Sequence, residues 1–157
     1  METLIVYFSK FGNTQLVAEK IGETIRAANG VDGVVQVISS DQLESDDLEA
    51  AELVVMGTPT HKMNLPEAVQ PMFKRLRRKV LRGKLVAVFD TSYKMSPFLA
   101  RFTAAKKLDS KLRKLGGKRV VSPETFHVVE CEGPLYEGEL QRAQLWTETI
   151  LDQVKSV

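Results

Sequence analysis

Cysteine is almost missing. Cys131 is the one thiol in 157 residues, so no internal disulfide, cysteine-built metal cage or dithiol pair can form, and it is expected to be a small packed side chain. Long apolar runs are missing too: Leu53–Met56 and Leu85–Phe89 are strand-sized, far short of the ~20 residues that cross a bilayer as a helix. The apolar start at Leu4 meets Ser9, Lys10 and Gly12 at once, which leaves neither the length nor the cleavage site of a secretory signal. A cytoplasmic protein is expected. No sign of charge dominates, with a net charge of +2, so nucleic acid is not indicated as a partner. Repeats, low-complexity tracts and linkers are absent, and the 43% hydrophobic, 27% charged composition is that of one globular domain over residues 1–157.

What the sequence does contain is an alternation of short apolar runs with longer amphipathic segments. Thr3–Phe8 reads as a buried strand and Thr14–Ala28 as a helix, with Val17, Ile21, Ile25 and Ala28 on one stripe. Val34–Ile38, Leu53–Gly57 and Leu85–Phe89 are further strands, with a short helix over Asp46–Ala51. A helix starts at Leu65-Pro66-Glu67. A basic helix ends near Leu115, where Gly116-Gly117 stops it. Val120–Val121 and Phe126–Val129 form a fifth strand region, which Pro123 marks as an edge. The last helix, Gly138–Val154, puts Leu140, Ala143, Thr147, Ile150, Leu151 and Val154 on one side, beside Trp146. Strands alternating with helices imply α/β architecture, a three-layer sandwich around a five-stranded parallel sheet.

Ligands of such sheets bind beyond the carboxyl ends of the strands, where strand order reverses. Three polar segments stand there: Ser9-Lys10-Phe11-Gly12-Asn13-Thr14, Thr58-Pro59-Thr60-His61-Lys62-Met63-Asn64 and Asp90-Thr91-Ser92-Tyr93. The first suits a phosphate, because Gly12 lets the backbone bend, Ser9 and Thr14 carry hydroxyls, and a helix N-terminus follows; a simple helix cap would use the same residues. It lacks the Gly-Lys-Ser/Thr ending of a nucleotide-triphosphate loop and the Gly-x-Gly-x-x-Gly of dinucleotide folds. Ser9-Lys10 and Thr58-Pro59 also occupy the places where a phosphoacceptor receiver domain needs acidic residues.

The first loop resembles the phosphate loop of the flavodoxins and flavodoxin-like reductases, Ser/Thr-x-Ser/Thr-Gly-x-Thr after the first strand, through Ser9, Gly12, Asn13 and Thr14. Phe11 stands where the family has a second hydroxyl, and Lys10 adds a charge. Asp90–Tyr93 is similar to the family's Asp-x-x-Tyr, whose tyrosine stacks on the flavin. His61 falls about where many members place an aromatic residue. The resemblance covers nearly the whole chain in element order. It implies the short form of the fold with strand order 2-1-3-4-5, and FMN bound by Ser9, Lys10, Phe11, Gly12, Asn13, Thr14, Thr58, Pro59, Thr60, His61, Asp90, Thr91, Ser92 and Tyr93. The function it implies is electron transfer to a redox protein partner or a small-molecule acceptor.

Two alternatives stay open, an NAD(P)H-dependent flavin or quinone reductase of the same fold and a flavin-free interaction domain with a basic surface. Lys10, Lys62 and Lys94 should give the flavin a positive surround and favour its anionic reduced form. The basic run from Lys74 to Lys84 reads as a solvated helix face. Met63, Leu65, Met95, Pro97, Phe98, Leu99 and Phe102 exceed what a solvent-facing loop needs, which suggests a contact surface or a homodimer interface.

Overall fold

The apolar side chains of β1 (Thr3–Tyr7), β3 (Leu53–Pro59) and β4 (Leu85–Tyr93) run almost without interruption and are nearly all buried, the pattern of parallel strands covered on both faces. The computed structural model describes residues 1–29 and 33–157. Among these lie three further strands, β2 (Val35–Ser39), β5 (Lys118–Arg119) and β6 (Glu124–Val128), and five helices: α1 (Asn13–Asn29), α2 (Ser45–Ala50), α3 (Gln70–Arg75), α4 (Ala104–Lys114) and α5 (Glu139–Lys155). The parallel sheet runs β2-β1-β3-β4, and both β5 and β6 pair with the outer side of β4. This is the order 2-1-3-4-5, with the fifth place filled by two segments.

Successive side chains of a strand point to opposite faces, and the core divides accordingly. Leu4, Val6, Val54, Met56, Val86 and Val88 pack with Leu48 of α2, Met72 of α3, and Leu108 and Leu112 of α4. Ile5, Leu53, Val55, Ala87 and Phe89 pack with Val17, Ile21 and Ile25 of α1, and Ala143, Trp146 and Ile150 of α5. Each such large side chain contributes about 1.5–3 kcal/mol by leaving water. Phe89 meets Phe126 and Trp146 edge to face at 5.9 and 6.2 Å. Its ring also crosses the backbone of its register partner on β3, Gly57. A Cβ there would stand 2.0 Å from the ring, so only glycine fits.

Several elements differ from the sequence expectation. β4 continues four residues past Phe89, because Asp90, Thr91, Ser92 and Tyr93 pair with Thr125–Val128 of β6, and Asp90 and Thr91 also with Thr58 and Pro59 of β3. Val120 and Val121 lie between β5 and β6 rather than in a strand, since Pro123 has no amide for a continuous ladder. The Leu65-Pro66-Glu67 start leads into a 3₁₀ turn, Glu67–Val69, before α3 begins. Leu140 is 38% exposed and does not join the α5 stripe. Cys131 is exposed, not packed.

The basic run is more than a solvated face. Arg77 pairs with Asp46 at 2.6 Å and Glu49 at 2.8 Å, Arg75 donates to the Leu43 carbonyl at 3.2 Å, and Lys84 to that of Glu49 at 2.5 Å. Arg77 thus ties the stretch after α3 to the acidic residues of α2, although exposed pairs of this kind add at most about 1 kcal/mol each.

Gly57→Ala is expected to cost about 3 kcal/mol or more, because the Phe89 ring must leave its place in the aromatic trio. Urea unfolding of the variant checks this; a midpoint equal to that of the parent chain would show that the ring has room to move.

Candidate functional site

The chain leaves β1 toward β2 on one side and returns to β3 on the other, so strand order reverses between β1 and β3. Beyond their carboxyl ends lies a cavity of about 670 Å³, within the range of cofactor sites. Ser9, Lys10, Phe11, Asn13, Thr14, Pro59, Thr60, His61, Thr91, Ser92 and Tyr93 all line it. The three polar segments therefore converge on one place.

The first wall is the loop between β1 and α1. Gly12 turns the chain with φ +92°, a conformation that side-chain-bearing residues resist. Its amide donates to Ser9 Oγ at 3.0 Å, and its carbonyl accepts the first bond of α1, from the Leu16 amide at 3.0 Å. The amides of residues 13–15 are left without acceptors inside the helix, and no acidic residue stands in that first turn. The result is a positive, donor-rich helix end. Thr14 is buried and its hydroxyl shares a 2.9 Å bond with that of Thr91, which ties this wall to β4. Lys10 Nζ sits 5.2 Å from the Phe11 ring centroid.

The second wall follows β3. His61 and Asn64 exchange backbone hydrogen bonds at 2.8 and 2.9 Å, closing a tight turn in which Lys62 and Met63 have φ of 48° and 60°. Two consecutive non-glycine residues there cost about 1–2 kcal/mol each. The turn is held by the Leu65 amide donating to Asn64 Oδ1 at 2.8 Å, and by Lys107 Nζ donating to the Met63 carbonyl at 3.2 Å.

Asp90 stands behind both walls, with no exposed surface. Its Oδ2 accepts from the Thr60 hydroxyl at 2.7 Å and from the Ala105 amide at 2.9 Å, while the same Thr60 hydroxyl accepts from the Ala104 amide at 2.9 Å. Asp90 Oδ1 has no well-aligned bond of its own, although the hydroxyls of Thr125 and Thr103 lie nearby. Burial raises the carboxyl above its ordinary 3.8, against the opposing pull of those hydroxyls, of Thr60 and of the Ala105 amide. Asp90, Thr58 and Gly12 do not line the cavity. Asp90 braces the site from beneath, Thr58 is a buried strand residue and Gly12 shapes the loop.

A fourth contribution escaped the sequence reasoning. Val128 at the end of β6 and Cys131 just after it close the side of the cavity next to Tyr93. Partial desolvation, followed by the neighbouring Cys131 thiol, raises the Tyr93 phenol above its usual value. The Asn13 side chain donates to the Glu132 carbonyl at 3.1 Å, joining this segment to the first wall. Because Tyr93 and Val128 are register partners, the strand-end rule applied to the fifth strand would have found them. Asn64, Leu65, Pro66, Glu67 and Ala68 add the remaining side.

The profile of the family described as Flavodoxin matches residues 5–150. The chain belongs to the flavodoxin family. It is 27% identical to a flavodoxin of Clostridium saccharobutylicum, over 100% of this chain and 99% of that one. It is also 27% identical to an NAD(P)H dehydrogenase (quinone) of Syntrophobacter fumaroxidans, over 59% of this chain and 58% of the other. Oxidised flavodoxin 1 of Bacillus cereus superposes with a TM-score of 0.76 at 20% identity, covering 97% of this chain and 98% of that one. As a flavodoxin-family flavoprotein the chain binds FMN and transfers electrons through it. Among the described residues no helix is long and apolar enough to cross a membrane.

Asp90→Ala is expected to destabilise by about 1–3 kcal/mol, since the Thr60 hydroxyl and the Ala105 amide lose their acceptor. Asp90→Asn keeps an acceptor and removes the titration. A carboxyl raised on folding contributes stability that is complete below its unfolded value near 3.8 and is lost as pH rises through its folded value. The stability of Asp90→Asn relative to the parent chain should therefore improve from pH 4 to pH 7, read from urea unfolding at both; a difference that stays flat or falls with pH would contradict it.

Proposed function

We propose that FMN sits in this cavity with its phosphate at Ser9–Thr14 and its ring between the Thr58–His61 and Asp90–Tyr93 segments, and that a redox protein partner exchanges electrons with it. The observation that carries this reading is the open N-terminal end of α1: amides of residues 13–15 without an acceptor inside the helix, no acidic residue in the turn, and Ser9, Lys10, Asn13 and Thr14 at the cavity. That donor set suits a phosphate monoester, which α1 stabilises through its dipole and its unpaired N–H groups. The absence of a second hydroxyl at Phe11 removes one donor without closing the site, because Phe11 is 43% exposed and turned beneath Lys10.

When bound, FMN supplies one- and two-electron chemistry that no side chain here provides. The chain's own residues bind, orient and shield. Tyr93 offers an aromatic face at the mouth, and Pro59, Leu65 and Val128 present apolar surface that sheds water. Asp90 keeps Thr60, and with it the turn after β3, in register with β4. The Lys10 and Lys62 ammonium groups stand at the lining and raise the local potential, which favours added negative charge on the ring system. A cytoplasmic location suits the exposed free thiol of Cys131 at the cavity edge.

A second reading, an NAD(P)H-dependent quinone reductase, is supported by the match to the quinone dehydrogenase of Syntrophobacter fumaroxidans and by the exposed His61 at the mouth. Rapid bleaching of the flavin by NADPH in the isolated holoprotein would favour it over the carrier.

The purified protein, given FMN, is expected to show a flavin visible spectrum. Lys10→Glu should weaken FMN affinity roughly tenfold, the equivalent of about 1.4 kcal/mol, and move the two-electron potential to a more negative value. Fluorescence titration and a redox titration check the two effects. An unchanged affinity would remove the phosphate from residues 9–14, and a protein that stays colourless would remove FMN from the cavity.

A further inference from the structure

The chain between Tyr93 and Ala104 leaves the sheet and returns beside the cavity: Tyr93 lines the mouth, and the Ala104 amide bonds Thr60, which lines it too. Between these anchors lies a 3₁₀ turn, Leu99–Phe102, with no buried residue. Phe98 is 64% exposed, Leu99 45% and Phe102 48%. The rings of Phe98 and Phe102 meet edge to face at 5.7 Å, so they form one apolar knob that packs on itself and not on the core.

The charge around this knob is of one sign. From Lys94 to Lys114 the sequence carries seven Lys and Arg and a single acidic residue, Asp109. Asp109 is buried and held by Arg119 at 3.3 Å, so the exposed charges of the segment are all positive. Lys106 and Lys107 stand in the first turns of α4, which contains no acidic residue there. Cations at that end oppose the helix dipole and reduce stability by a few tenths of a kcal/mol or more each. Lys107 is used in part by its bond to the Met63 carbonyl, whereas Lys106 stands against the dipole, and contact with an anionic surface accounts for a cation there.

We infer that the Phe98–Phe102 knob and its collar of Lys94, Arg101, Lys106 and Lys107 form the docking surface for a redox protein whose contact face has an apolar centre ringed by Asp and Glu. Burial of the exposed rings supplies the anchor, and the collar steers and orients the approach. The anchors at Tyr93 and Thr60 place such a partner against the cavity mouth. An anionic lipid surface fits less well: across the mouth Glu130, Glu132 and Glu137 are exposed, and a flat negative surface covering the knob would meet them. A second copy is an outcome that the test below separates. The partner's being a redox protein rests on the FMN reading; the contact itself does not.

The test uses the FMN-loaded full chain labelled for amide NMR, an acidic [2Fe–2S] ferredoxin as probe and basic cytochrome c as counter-probe. With ferredoxin, shifts are expected over residues 93–107 and the turn at 61–64, fading as ionic strength rises. Phe98→Asp and Arg101→Glu should each weaken the contact roughly tenfold, while the visible spectrum and FMN affinity stay as in the parent. Arg78→Glu, in the other basic stretch, should change nothing. Shifts elsewhere, no ferredoxin contact at low ionic strength, or a preference for cytochrome c would overturn the inference. So would a dimer in sedimentation that Phe98→Asp abolishes, which assigns the knob to a second copy, or retention on phosphatidylserine vesicles that the same variant abolishes, which assigns it to lipid. A chain that takes up no FMN yet still binds ferredoxin would sink the cofactor reading and leave the docking surface standing.

Discussion

A single buried carboxylate ties the working end of this molecule together. Asp90 lies in the last turn-free stretch of β4, accepts from Thr60 of the neighbouring strand end and from the first turn of α4, and has no exposed surface. Through Thr60 it fixes the loop that forms one cavity wall, and through α4 it fixes where the Phe98–Phe102 segment returns to the body. Burying such a group is unfavourable unless its bonds are made, so the bonds at Oδ2 couple the strand end, the loop and the helix N-terminus to one another. The cavity and the apolar knob consequently share one foundation.

Most of the architecture was legible because its cause is local. Continuous apolar runs with turn signals at both ends specify buried parallel strands, and the stripe Val17, Ile21, Ile25 specifies the face that α1 lays on the sheet. What the pattern could not show depended on partners distant in sequence. Asp90–Tyr93 looks like a loop by composition, yet the segment pairs with β6 and at its start with β3, and Asp90 and Thr91 bond Thr60 and Thr14. Phe89 over Gly57 is equally invisible in one dimension, since neither residue alone announces the contact.

The site was legible in its walls and less so in its supports. Ser9–Phe11, Asn13, Thr14, Pro59–His61 and Thr91–Tyr93 reach the cavity as their strand-end positions imply. Asp90 was grouped with them by its spacing to Tyr93, but faces inward. Val128 and Cys131 carry no polar strand-end signal of the kind seen in the first, third and fourth loops, and it is the register of β6 that brings its end level with Tyr93. Cys131 in particular illustrates how composition misleads: cysteine is commonly buried, and here a loop placed by Pro134 and Val129 pairing carries it to the surface.

The divided outer strand has a consequence for how copies of this molecule coexist in a crowded solution. An open sheet edge offers unpaired amides and carbonyls to any extended chain that drifts past. Here β5 spans two residues, Pro123 interrupts the row, and the chain after β6 doubles back so that Val128 faces Leu135 and the Tyr136 amide bonds the His127 carbonyl. This margin is thus too short at one end and already covered at the other to recruit a foreign strand, which leaves β2, paired with β1 on one side, as the longer edge of the sheet.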